Sequence, residues 1–434
     1  MAWRAAHRRL YEHLCETTND KPEPTLEDLQ PLFQAVAHGC QAGMQREACD
    51  RVYRDRIQRG REFYSTKKLG ALASNLGAVT WFFEQAWGCA SPALEEEAQS
   101  WVLNEAAFYL SALGILREAL EPSRAGLEMN VKRGDWVNAA IAARNLTQLE
   151  LVLGEMASAM VNADQAVAYA ERSDNTFEWL GERCSHADAL HQAGRRAEAE
   201  ALFREAEEIQ AAWQFEYPLL YSLQGFQYCN LLLAATERAA WRRMLNLNGN
   251  PQSSSLLESC RAVSERAART LDWAEQNDFL LDIAVNHLTL GRAALYAAIL
   301  EYKPLDQLDP CRKSLQHAVE GLRRAGTQNH LPRGLLTRAW LRCLFSAHTG
   351  PESAQGDLDE AWEIAERGPM PLHMADIHLH RARLFGLSKD RPAKYPWASA
   401  QADLVEARRL IEKHGYWRQK EELEDAEAAA RALA

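Results

Sequence analysis

A chain of 434 residues with 49 Lys+Arg against 60 Asp+Glu carries a formal net charge of −11. With 47% hydrophobic and 25% charged residues it has apolar surface enough to fold, which excludes disorder over most of its length. The acidic balance excludes a general nucleic-acid binder, because such proteins need a cationic surplus to displace counterions.

Arg4, His7, Arg8, Arg9, Glu12 and His13 interrupt the one stretch that resembles a leader, and no run approaches the ~18 apolar residues of a membrane span. Nine cysteines (15, 40, 49, 89, 184, 229, 260, 311 and 343) are scattered, odd in number and without a CxxC pair. That pattern reads as reduced thiols rather than a disulfide framework. The expected setting is the cytoplasm, away from membranes.

Residues 1–100 read as degenerate helical repeats. Thr25 opens a helix with Asp28 three positions on, and Leu69-Gly70 with Gly77 look like a worn repeat. Residues 101–216 are regular. The segments "LGILREALEPSRAGL" (113–127), "LGEMASAMVNADQAV" (153–167) and "AGRRAEAEALFREAE" (193–207) align on Gly114, Gly154 and Gly194, 40 residues apart. Five positions later come Ala119, Ala159 and Ala199, and twelve later Gly126, Ala166 and Ala206. Glycine permits the turn between paired helices, and the small residues mark where backbones approach. Residues 217–414 continue the pattern with insertions at "NLNGNPQSSS" (246–255) and "SKDRPAKYPWAS" (388–399). Helices are predicted at 218–244, 254–276, 279–301, 306–325, 332–348, 354–367, 371–387 and 399–414, and no segment reads as a convincing strand. Residues 415–434 form a capping helix. The expected fold is an all-α, right-handed superhelical solenoid of about eight helix pairs.

Ala187, Leu190, Gly194, Ala199, Phe203 and Ala206 in the third repeat, and Tyr221, Gly225 and Tyr228 in the fourth, give a pattern that resembles the tetratricopeptide repeat. The period here is nearer 40 than 34, Thr147 replaces a small residue, and the leading aromatic is usually missing. The blocks 216–233, 287–300, 357–385 and 415–427, and the opening "AAHRRLYEHL" (5–14), resemble the C-terminal arms of bacterial STAND-type signalling ATPases with a NACHT-like switch. The resemblance implies a sensor that recognises a trigger and relays the event, in signal transduction or antiviral defence. It carries over no catalytic residue, and the chain lacks the GxxxxGK[ST] phosphate cradle, so the ATPase itself is excluded.

Cys184, Asp188 and His191 share one helix face at i, i+4 and i+7. Their equivalents in earlier repeats are Asn104 with Phe108 and Arg144 with Gln148, so these seven residues are expected to line a concave groove. The groove is expected to be long and open, with Arg144 and Asp188 replaceable at no cost in stability. Metal binding at 184/188/191 is disfavoured, since three ligands a full turn apart do not converge on one ion. Arg333, Arg338, Arg342, Arg381 and Arg383 form a second candidate, a basic strip for an anionic partner; its bland reading is a solvated face neutralised by Asp357, Asp359, Glu360 and Asp376. His38-Gly39-Cys40 suggests a protease dyad, but on a helix His38 and Cys40 point about 200° apart. The sequence therefore predicts a non-catalytic recognition arm with neither cofactor nor metal. Its partners are a protein or peptide trigger and a nucleotide-switch ATPase or effector. The alternative is a small-molecule-sensing helical-repeat regulator.

Overall fold

Glycine sets the repeat boundaries. At Gly114, Gly154 and Gly194 the backbone takes φ of +78°, +72° and +78°, the left-handed region that an L side chain enters at a cost. Each of these residues ends one helix two positions before the next begins, so a 40-residue spacing becomes a series of hairpins of equal length. The computed structural model describes residues 2–247 and 253–433.

The first antiparallel pair is α1 (Ala2–Thr17) and α2 (Leu26–Ala42). Helix α2 opens on the expected cap: the Thr25 hydroxyl accepts from the Asp28 N–H and the Asp28 carboxylate accepts from the Thr25 N–H. A turn, α3 (Gln45–Glu47), runs into a π-helical stretch at Ala48–Ile57, followed by α4 (Tyr64–Lys67) and α5 (Leu72–Thr80). One expectation fails here. Phe83–Gln85 and Cys89–Ala90 pair as a small antiparallel hairpin where the sequence shows no strand. A ladder this short leaves no alternation to detect.

From Glu96 the pairs are regular: α6 (Glu96–Ala112) with α7 (Leu116–Arg133), α8 (Trp136–Val152) with α9 (Met156–Ser173), and α10 (Thr176–Gln192) with α11 (Arg196–Trp213). Then come α12 (Ser222–Met244) and α13 (Ser253–Asn277) on either side of the polar insertion, whose residues 248–252 lie outside the described ones. The series ends with α14 (Leu280–Glu301) and α15 (Asp309–Ala325), α16 (Leu331–Leu344) and α17 (Ala354–Arg367), α18 (Pro371–Arg381) and α19 (Ala400–His414), and α20 (Lys420–Leu433). Beyond its last residue α18 loosens into a π-helical turn at Ala382–Leu387. The even-numbered helices from α6 to α18 touch one another in sequence as an inner layer, and their partners lie outside. This is an all-α solenoid.

Small residues sit where the pattern placed them. Ala119, Ala159, Ala199, Ala166 and Ala206 are fully buried, and a Cβ on Gly126 would lie 2.9 Å from the Asn104 amide oxygen. Helix α14 corrects the reading of apolar runs, being long and apolar enough by length and composition to cross a membrane. In the fold it is instead enclosed by α12, α13 and α15, and it buries Asn286, Thr289 and Arg292. The largest buried side chains are Trp241 and Trp340, stacked with ring centroids 3.4 Å apart. Trp241→Ala is expected to cost about 3–5 kcal/mol, read as a lowered urea midpoint. A loss below about 1 kcal/mol would mean the two rings are not packed in solution.

The stack then returns on itself. A Cβ at Gly70 would meet the Arg324 carbonyl oxygen at 2.2 Å, one at Gly154 would meet His414 Nδ1 and Pro371 Cγ at 2.5 Å, and one at Gly194 would meet Trp417 Cβ at 2.8 Å. Across the same line the Gln328 N–H donates to the Ala112 carbonyl at 2.7 Å, and His414 Nδ1 lies 3.0 Å from the Gly154 carbonyl oxygen. The hairpin turns of the early repeats thus form a seam with those of the late repeats. The glycines serve twice, once for the turn and once for this close approach.

Candidate functional site

Helices α6, α8 and α10 of the inner layer carry the seven groove residues, but most are already engaged. Arg144 Nη1 lies 3.2 Å from Glu178 and 2.9 Å from Glu182, bridging two repeats. Burial pushes the Glu182 carboxyl up to about 8 in spite of the arginine. Gln148 donates to the Ser185 hydroxyl at 3.0 Å, and Asp188 accepts from Gln192 at 2.7 Å and from Gln227 at 3.2 Å. These are rungs that hold adjacent inner helices together, so Arg144 and Asp188 are not free to be replaced at no cost. Cys184 shares the helix arc of Asp188 and His191 but is fully buried in the core with Leu180, Ala187 and Phe203, so its thiol is closed off from any groove. Phe108 is 40% exposed and stands edge-on to Tyr109. His191 is buried, and its Nε2 has no hydrogen-bond partner.

The basic strip is mostly neutralised inside the protein. Arg338 and Arg342 both pair with Asp357, at 2.6 and 2.8 Å. Arg381 lies 3.6 Å from Asp359, with Trp362 and Trp397 on its guanidinium faces. Arg383, 1% exposed, reaches the Glu422 carboxylate and carbonyl, both at 2.9 Å. Two of the expected counter-charges, Asp357 and Asp359, are present, yet the face is buried rather than solvated. Arg333 stands apart. It is partly buried with no ion pair within 4 Å among the described residues, and its guanidinium sits 5.9 Å from the Phe226 ring. The charges that act on His191 are Arg418, Arg196, Arg333 and Arg292, so the fold brings one member of each candidate set into the same neighbourhood.

At the start of the inner face, Asn104 does line a cavity of about 280 Å³, together with Trp101, Ser100, Glu97, Asn138, Arg54, Gly60, Arg61 and Phe63. Three residues beside it, Arg59, Gly60 and Phe63, take positive φ (55°, 60° and 48°). For Arg and Phe that is stored strain, of the kind concentrated at binding sites. Arg54 stacks its guanidinium 4.9 Å from the Trp101 ring centre. Behind the cavity lies a buried network: the Tyr109 hydroxyl donates to Glu105 at 2.5 Å and receives the Gln58 amide at 2.8 Å.

Burial pushes the Glu105 carboxyl up to about 7. The folded chain therefore holds a proton there that the unfolded chain releases near pH 4.5, and stability falls as pH rises through that window. Above about pH 7 the full cost is present. Glu105→Gln is expected to flatten this slope and raise the urea midpoint at pH 8 while leaving pH 4 nearly unchanged; an unaltered slope would assign the pH dependence to another group.

His38 Nδ1 lies 2.9 Å from His7 Nδ1, while the Cys40 thiol is buried beside Cys49, and burial raises its pKa far above the ordinary thiol range. The two residues do not meet. Sequence reasoning missed Arg54, Arg61, Trp101 and Asn138, although Trp101 and Asn104 one turn apart were a visible signal. It also missed the buried set around Glu237, where Arg292 lies 3.0 Å and Arg418 3.5 Å from the carboxylate. An arginine inside the otherwise apolar α14 was the available hint.

No known protein-family model matches the chain, and no curated protein matches it. Among solved structures it is similar to a crystal structure of a Rap protein complexed with competence and sporulation factor, at 10% sequence identity and a TM-score of 0.47, covering 99% of this chain and 97% of that one.

Proposed function

We propose that the chain is a non-catalytic recognition arm that takes a protein or peptide trigger at the beginning of its inner face. The observation that carries this is the cavity at Asn104. Two amides, an aromatic wall from Trp101 and Phe63, and the guanidinium of Arg61, which has no counter-ion within 4 Å among the described residues, converge there on a strained loop. Amides pair with both polar groups of a peptide unit, and an aromatic–arginine wall suits a side chain with a planar or acidic end. The relay to a nucleotide-switch ATPase or effector, in signalling or defence, rests on the resemblance of blocks 216–233, 287–300, 357–385 and 415–427.

The test is selection of displayed peptides on the full chain, followed by affinity measurement on Arg61→Glu and Asn104→Ala. Both side chains reach solvent, so melting is expected to hold, with affinity falling at least about ten-fold, or 1.4 kcal/mol. Enriched peptides that bind both variants as tightly as the parent would place recognition elsewhere. The second reading, a small-molecule-sensing regulator, is favoured by the buried polar groups at the centre of the stack.

A further inference from the structure

Where α10, α12, α16, α18 and the segment after α19 meet, the protein buries polar atoms without partners. His191 Nε2 and Asn230 Nδ2 are unmatched donors or donor-capable groups; Gln192 Oε1 and Gln419 Oε1 are unmatched acceptors. A buried polar group without a partner is costly, and proteins retain few of them. Three of the four residues are paired through their other side-chain polar atom. Gln192 donates to Asp188, Asn230 accepts from Arg292, and Gln419 donates to Asp376 at 2.7 Å, while the Tyr416 hydroxyl donates to Asp376 at 3.1 Å.

Charge around this centre is out of balance. Arg292, Arg333, Arg383 and Arg418 meet Glu237, Asp376 and Glu422, four cations to three carboxylates, and the single close carboxylate contact of Arg418 is at 3.5 Å. Arg333 and Arg418 act together on His191, on Asp376 and on Tyr416, so both lie within electrostatic reach of the same groups. His373, also within reach of Arg333, leaves its Nδ1 without a partner. Arg333 is the one of these cations with no ion pair within 4 Å among the described residues, and a partly buried cation left so is costly.

We propose that His191, Arg333 and Arg418 form an internal site for a carboxylate, carried by a molecule that also presents N–H or O–H donors. The guanidinium of Arg333 meets the carboxylate in the planar, paired fashion that arginine favours, and His191 Nε2–H and the Asn230 amide add donors. Gln192 and Gln419 accept from the ligand's own donors. An amino acid or the terminus of a peptide has this combination; a bare phosphate satisfies the cations but not the two amide oxygens. The site is separate from the Asn104 cavity, and neither depends on the other.

The experiment is thermal melting of the full chain with sodium glutamate, a hexapeptide pool as free acids, the same pool as C-terminal amides, and inorganic phosphate, each against sodium chloride of equal ionic strength. A carboxylate probe is expected to raise the midpoint by about 2 °C or more, and Arg333→Gln and His191→Gln are expected to abolish the rise. A response to glutamate assigns a free acid; a response to the free-acid pool but not its amide assigns a peptide terminus. Because Arg333 has no ion pair to lose, Arg333→Gln is expected to melt no lower than the parent without ligand. No rise with either carboxylate probe overturns the site, as does a rise with phosphate alone or one that survives Arg333→Gln. Retention of the rise in Asn104→Ala keeps this outcome distinct from the peptide-recognition reading.

Discussion

Gly154→Ala is expected to melt well below Gly134→Ala, although both glycines sit at nearly the same left-handed angle, φ +72° and +70°. An alanine pays about 1–2 kcal/mol for that conformation at either position. At Gly134 nothing lies within 4 Å of the added methyl, whereas at Gly154 it lands 2.5 Å from His414 and Pro371. The early and late repeats must then part or distort, a further cost of about 1–3 kcal/mol typical of overpacked sites. The comparison removes backbone strain as an explanation. Equal losses in the two variants, measured by urea denaturation, would show that the seam is not closed in solution.

Asp357→Ala is expected to be the more damaging single change, at about 3–5 kcal/mol, because it leaves two largely buried arginines without their counter-charge. The Asp357 side chain is 2% exposed, and Arg338 and Arg342 are 9% and 18% exposed. Burial is the largest influence on this carboxyl and raises its pKa, with the two arginines opposing. The pair is thus a balance of desolvation against attraction, and removing one side tips it. Replacing Arg338 by Met in the same chain is expected to restore part of the loss. A loss under about 1 kcal/mol for Asp357→Ala would return Arg338 and Arg342 to the surface and revive the reading of a strip open to partners.

The helices at 101–216 were legible because those repeats share one period and a turn glycine, and the later ones by their apolar spacing. Predicted ranges at 354–367 and 371–387 coincide with α17 and with α18 plus its π-helical turn. Legibility stops where contacts cease to be local. The seam joins Gly154 to His414, 260 positions apart, and no window of sequence shows such a pairing. The partners of the groove residues were hidden for a related reason. Helical spacing placed Arg144 and Asp188 on the inner face, but the acceptors and donors that use them, Glu182 and Gln227, come from the next repeats. Cys184 was misread because the face it shares with Asp188 and His191 is buried rather than open, which spacing alone does not tell. Asn104, picked out by spacing alone, lines the cavity. Its neighbours Arg54 and Arg61 come from an irregular loop whose position no periodicity encodes.

An open row of helical hairpins frays from its ends, each unit held by its neighbours and little else. Here Gly114 and Gly154 rest against Met370 and Pro371, so a terminal repeat can loosen only if a unit near the middle of the chain gives way with it. Amide hydrogen exchange would then protect α8 and α18 to the same degree and release them together, and anything seated among the inner helices could leave only through that shared, infrequent opening.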